Sequence, residues 1–419
     1  MSMKRCCSIF FILLALAAAR ATARGKKDPP QKTLKLGDQR STAYFDISKI
    51  VWPNPPAIAR IKFTDLFTGE PVDHSKDAEK KKPQKQKWMD RLAGSVPVDQ
   101  IDTGTLPFQL IRTYGVAVDS KGLIYAADQA VGAIFIFDPA NKTSVQMIRN
   151  GREAHFGLID GLAIDDNDRL FISDVKLNRV MVLNAKHQPE ASIADGLLTP
   201  GGIAIDKENR LLYVADTGND VVRVYDADSL KPVRVLGQPG KKHTLADPGT
   251  FSLPTNVAVD NEGDVYITDT FNDRVQIFDG DGNFVSMFGK NGDGPGQFER
   301  PKGIAVDCDR HIWVVDAAQD RVKVFDREGR LLIYFGEHGE YPGRFMGAYG
   351  ITIDKQNRVL VSETFPGRVQ MFRYVTDAEF EEAKKKQAET PARVSPAQSK
   401  EIAPVKGEAT PAKQVSTAK

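Results

Sequence analysis

Six times between residues 114 and 373 the chain repeats one pattern: an apolar segment ending in an acid, a second like it, and a third that closes ten residues later. The units open at Tyr114, Asp160, Gly201, Thr255, Lys302 and Tyr349. Their first acidic marks are Asp119, Asp165, Asp206, Asp260, Asp307 and Asp354, and their second are Asp128, Asp174, Asp216, Asp269, Asp316 and Glu363. The two marks stand nine residues apart in five units and ten apart in the third, where Leu211-Leu212 adds one. A register held that tightly means one supersecondary unit stacked six times, and it removes most other architectures from consideration.

Each unit reads as strands. GVAVD, LIYAAD and AIFIFD are short, β-branched or aromatic, and bounded by Gly, Asn and Asp. A fourth, weaker strand follows, as in NFVSMFG and RLLIYFG. Four antiparallel strands recurring every 41 to 54 residues have the size of a propeller blade. Packing on both faces explains apolar runs without clean alternation. Ala117, Ala163, Ala204, Ala258, Ala305 and Thr352 share one position of the innermost strand, where converging blades leave little room. The sixth unit turns polar at Thr376 without a fourth strand, and Ile58–Phe67 has the length and composition to supply it. The expected fold is all-β, a six-bladed β-propeller whose last blade is closed by an N-terminal strand, leaving no open edge.

The units PTNVAVDNEGDVYITDTFNDRVQIFDGDGNFVSMFG and PKGIAVDCDRHIWVVDAAQDRVKVFDREGRLLIYFG resemble NHL repeats, and the first and second units resemble degenerate versions of them. The resemblance covers roughly residues 100–375, and VWPNPPAIARIKF is similar to the lead-in of exported bacterial six-bladed propellers. It implies a six-bladed propeller of NHL type. Relatives of that kind include RNA-binding domains, sensor domains of membrane kinases and a metal-dependent amidating lyase, so it leaves the chemistry open.

The flanks read as an export address and a disordered tail. Lys4 and Arg5 precede an apolar stretch, Ile9 to Ala19, and Ala21-Thr22-Ala23 offers a cleavage site, so residues 1–23 are read as a signal peptide. A periplasmic or secreted protein is expected, with no transmembrane segment after cleavage. An extended lead-in spans 24–57, the propeller 58–375 with a charged insertion at 73–91, and a tail from 376 to 419. The tail opens with a potential short helix and then has the composition of a disordered segment. Cys6 and Cys7 leave with the signal, and Cys308 stays alone as a surface thiol without an internal partner.

Function is sought where the repeats differ. By strand direction, the loops entering each innermost strand and those joining its second and third strands share one face. The opening residues therefore rim the axial channel, and Tyr114, Asp160, Thr255, Lys302 and Tyr349 are the candidate ligand-binding residues. Lys241, Lys242 and His243, in the longest inter-blade loop, are candidates on the same face. The acidic marks are read as structural. They accept from backbone amides, and a clasp is expected onto Arg179, Arg274, Arg321 and Arg368, five residues after their second acids.

No catalytic or metal-ligating set is assigned. None of the six histidines holds a rim position, and the rim carboxylate Asp160 has Asn256 as its one nearby companion. With 57 basic against 55 acidic residues, net +2, the chain lacks the field that nucleic acid demands. The reading is a monomeric binding or scaffold module for a protein, peptide or glycan of the cell envelope, with no cofactor required. The alternative is a metal-dependent lyase or hydrolase, with a divalent metal at the axis.

Overall fold

The computed structural model of the protein describes residues 33–35, 44–70, 108–142, 144–149, 155–238 and 247–389. The expected signal peptide, the charged insertion at 73–91 and the tail beyond 389 lie outside the described residues. Each repeat folds as one antiparallel sheet whose strands, a to d, follow chain order from the axis outward. Blade 1 consists of Thr113–Val118, Ile124–Asp128, Ala133–Phe137 and Val145–Arg149. The later a strands are Ile159–Ile164, Pro200–Asp206, Pro254–Val259, Pro301–Val306 and Ala348–Ile353. Each a strand packs beside the next and the sixth beside the first, so the blades close a ring. The chain is a six-bladed β-propeller.

Small residues let the a strands converge. Ala117, Ala163, Ala204, Ala258 and Ala305 pair in register with Tyr125, Phe171, Tyr213, Tyr266 and Trp313 on strand b. One large ring against one small residue fills a wedge that narrows toward the axis. Six apolar clusters follow, one in each interface between neighbouring blades. The d strands are half exposed, because only their inner side has a neighbour.

Blade 6 takes its fourth strand from Ile61–Phe67, which runs antiparallel to Arg368–Tyr374 from Ile61↔Tyr374 to Phe67↔Val369. Ile61, Phe63 and Phe67 bury their side chains, so the seam closes as a hydrophobic surface as well as a ladder. Val51–Trp52 adds a short fifth strand, and Trp52 packs on Phe335 and Phe372. After the last blade, Asp377–Glu389 forms a helix, α1, at the place where the tail was expected to open with a short helix. Thr376 and Glu379 satisfy each other's amides as a capping box. Arg60 holds α1 to the closing strand by an ion pair with Asp377 and by lying 4.6 Å from the centre of the Phe380 ring.

The acidic marks are structural, as their spacing suggests. Each first acid turns its hairpin by accepting from amides two to four residues on, as Asp260 does from Glu262 and Asp264. The second acids reach backward and tie the incoming inter-blade loop: Asp128 accepts from the amides of Ile111 and Arg112, and Asp316 from those of Glu299 and Arg300. The expected arginine clasp needs correction. It forms at Asp269–Arg274 and Glu363–Arg368. Asp216 instead takes Arg223 and Asp316 takes Lys323, each seven residues on. Arg179 bonds the His155 carbonyl, and Arg321 lies over the Tyr334 ring. Residues five and seven positions on share a face of strand c, so either can reach the acid.

Candidate functional site

The rim is set by a break in every inner strand. The pairing of a with b shifts register near the start of strand a in all six blades, for example between Thr113 and Val116 and between Ala348 and Ile351. Such a bulge re-aims the residues it contains. The residue after the rim position is glycine in five blades, and a side chain there would collide with the next blade. A Cβ on Gly161 would lie 2.7 Å from the Gly201 carbonyl oxygen, and one on Gly350 2.5 Å from that of Tyr114. Close approach between inner strands therefore dictates these glycines.

The rim carbonyls are pinned in a two-blade alternation. Ser173 donates to the Gly201 carbonyl at 2.5 Å, Thr268 to that of Lys302 at 2.7 Å, and Ser362 to that of Tyr114. The equivalent positions in the intervening blades are Ala127, Ala215 and Val315, which are buried and apolar. The three hydroxyls thus fix three of the six rim residues to the blade before them.

All six rim residues line one mouth of about 310 Å³. Gln129, Val175, Thr217, Thr270 and Phe271 from the b–c loops and Thr199 and Leu253 from the a-strand approaches complete its wall. Tyr114 and Tyr349 meet edge to face with ring centres 4.5 Å apart. The Tyr349 hydroxyl donates to Asp160 Oδ2 at 3.3 Å, joining residues 189 positions apart in sequence. Lys302 Nζ stands 5.7 Å from the centre of the same Tyr349 ring.

The electrostatics are unusual for a structural carboxylate. Asp160 is only 6% exposed, and its Oδ1 is buried with no hydrogen-bond partner among the described residues. Burial pushes its pKa up to about 6, against the opposing pull of Lys302 and Tyr349. Burial likewise lowers Lys302 and holds the Tyr349 phenol well above its ordinary value. Two opposite charges are thus desolvated on either side of one tyrosine. Thr255 faces inward, its hydroxyl bonded to that of Thr270 at 2.6 Å.

Six exposed apolar side chains stand on the same face. Ile111, Leu158 and Leu198 belong to loops entering strand a, and Leu177, Phe271 and Phe365 to b–c loops. The sequence reading passed over them, because an isolated apolar residue in a loop carries no signal until the ring gathers it with others. Lys241, Lys242 and His243 lie outside the described residues.

The other candidates sit elsewhere. Asn256 turns its amide oxygen back to the Val257 amide at 3.0 Å. Among the described residues, the one cluster with metal-ligand character is Asp307, Asp309 and His311, at the hairpin end of blade 5. Its atoms are already engaged: the Tyr374 hydroxyl meets Asp309 at 2.8 Å, and Trp313 donates to Asp307 at 2.8 Å. Cys308 is an exposed free thiol beside the Asn357 side chain, with its pKa raised by partial burial and neighbouring carboxylates. Among the described residues no helix is long and apolar enough to cross a membrane.

A family model described as a 6-bladed beta-propeller, DUF5128, matches residues 250–323. NHL repeat-containing protein 2 of Gallus gallus is 31% identical over 102 residues, which is 23% of this chain and 14% of that protein. The chain is thus matched to a small fraction of that relative's length. Among solved structures, virginiamycin B lyase from Staphylococcus aureus is 13% identical with a TM-score of 0.47, covering 63% of this chain and 95% of that one. XC5397 from Xanthomonas campestris, a gluconolactonase, is 16% identical with a TM-score of 0.48, covering 74% of this chain and 98% of that one. A chain of the nidogen/laminin complex is 18% identical with a TM-score of 0.47, covering 59% and 88%.

Proposed function

We propose that this six-bladed β-propeller, which is similar to NHL repeat-containing proteins, is a binding module of the cell envelope, engaging a protein, peptide or glycan through the mouth of its channel. The observation that carries this reading is Asp160: a buried carboxylate with a free oxygen at a mouth shared by all six blades. A buried carboxylate oxygen without a partner is costly to keep, and a ligand donor at the mouth offsets that cost. The exposed apolar side chains around it, with Phe271 at 60% and Ile111 at 57% exposure, offer contact area to a large partner. Export through the N-terminal segment and a monomeric state belong to the same proposal.

The rival reading, metal-dependent lyase or hydrolase chemistry at the axis, needs several converging ligands there. Among the described mouth residues Asp160 is the one carboxylate, and none is an imidazole. Native mass spectrometry with elemental analysis on protein purified without chelator tests both. A polypeptide-only mass, with cross-linked partner lost on Phe271→Ala and Lys302→Ala, supports the binding module. Stoichiometric metal released by Asp160→Ala overturns it in favour of the enzyme.

A further inference from the structure

The mouth holds two desolvated charges of opposite sign, and neither is neutralised by direct contact with the other. Among the described residues Asp160 Oδ1 has no hydrogen-bond partner, and Lys302 Nζ rests over the Tyr349 ring without pairing to any carboxylate. A ligand of one charge would satisfy one group and repel the other. A neutral polyol would leave both desolvation costs standing. A dipolar group satisfies both.

We infer that the mouth recognises an α-amino acid group, in which a primary ammonium stands one carbon away from a carboxylate or carbonyl oxygen. This rests on the mouth being the binding site and names the chemistry it selects. The ammonium pairs with the Asp160 carboxylate, and the adjacent oxygen accepts from Lys302 Nζ. Tyr349 separates the two charges, its hydroxyl on Asp160 and its ring face under Lys302. Val175, Leu253 and Phe271 line the same mouth and give an aliphatic or aromatic ligand side chain an apolar wall. The group comes either from a free amino acid or from the amino terminus of a peptide.

Calorimetry on the full chain at pH 7.5 decides the matter with leucine, leucine amide, the dipeptide Leu-Gly, N-acetylleucine, isoamylamine and 4-methylpentanoate as probes. Leucine should bind, and the probes lacking either the ammonium or the adjacent oxygen should bind at least about tenfold more weakly. Retained affinity for leucine amide and Leu-Gly marks peptide amino termini as the source, and its loss marks the free amino acid. Asp160→Asn and Lys302→Met should each weaken leucine by at least about tenfold, while His311→Gln, at the opposite end of blade 5, should not. Unchanged thermal unfolding of one mouth variant keeps the test valid if the other misfolds. Equal binding of isoamylamine, or silence of every probe, overturns the inference. If the probes are silent while Phe271→Ala still lowers partner cross-linking, the amino-acid reading falls and the binding module stands. If cross-linking is also unaffected, both fall.

Discussion

The hairpin end and the axial rim of the mouth treat charge in opposite ways, although the second acids around that rim form ion pairs of their own. At the hairpin end, acids and bases of neighbouring blades saturate each other. Asp165 accepts from Arg169 and Arg210, which share Asp228, and Arg310 of blade 5 spans Asp260 and Asp264 of blade 4. Asp307, His311, Tyr374 and Asp377 tie blade 5 to blade 6 and to α1. At the axial rim Asp160 is buried and Lys302 half-buried, and among the described residues neither has a direct counter-charge. Strand a is about 20 Å long, so the two treatments lie one strand apart in the same sheets. The hairpin end satisfies its charges, while Asp160 at the axial mouth keeps a buried oxygen without a partner among the described residues.

The largest effect that would expose this difference belongs to the hairpin end. Asp165→Ala leaves Arg169 and Arg210 without their shared carboxylate, whose side chain is fully buried. A loss of about 3 kcal/mol or more in urea unfolding is expected. A loss below about 1 kcal/mol would mean that Asp228 alone suffices and that this end is less saturated than its geometry implies.

At the mouth the sign should reverse. The folded pKa of Asp160, about 6, lies above its ordinary 3.8, so the native state holds the proton more tightly. Its contribution is most favourable below pH 4, declines as pH rises from about 4 to 6, and stays low above that. Asp160→Asn removes the ionisation penalty and should stabilise the protein at pH 7.5 by on the order of 1–3 kcal/mol, while flattening that decline. Denaturant midpoints of both proteins at pH 4.5 and 7.5 check this, and a destabilised variant at pH 7.5 would break the contrast between the ends.

His311 sharpens it from the other side. Burial opposes protonation there, but Asp307, Asp377 and Asp309 together raise its pKa. A raised histidine adds stability below pH 6.5 that fades as pH climbs through the folded value. His311→Gln should therefore cost about 1 kcal/mol at pH 6 and little at pH 8.5, as read from melting temperatures across that range. The smallest effect is expected at the junction with α1. Arg60→Ala, which removes a partly exposed ion pair, should cost about 0.5 kcal/mol globally while speeding proteolysis within Asp377–Glu389.

Much of this was legible in the repeats. The hairpin turns follow from the first acids because an aspartate two residues before an amide caps it locally. The closing strand was legible because blade 6 lacked a partner and Ile58–Phe67 had the pattern to be one. The rim positions were legible as a register, and the ring does bring Tyr114, Asp160, Thr255, Lys302 and Tyr349 to one mouth. The arginine clasp was only half legible, since positions five and seven residues on are equivalent by strand period and packing chose between them.

The sequence by itself determined the number of blades, the strands within each and the ends of those strands, because these rest on local periodicity and turn chemistry. The tertiary structure alone decided that Tyr349 would meet Asp160 across 189 residues, that Asp160 Oδ1 would be buried unpaired, and that six scattered apolar side chains would share one face. Those facts depend on ring closure and on bulges that re-aim side chains toward the axis. Both arise from contacts between blades, and no single repeat encodes them.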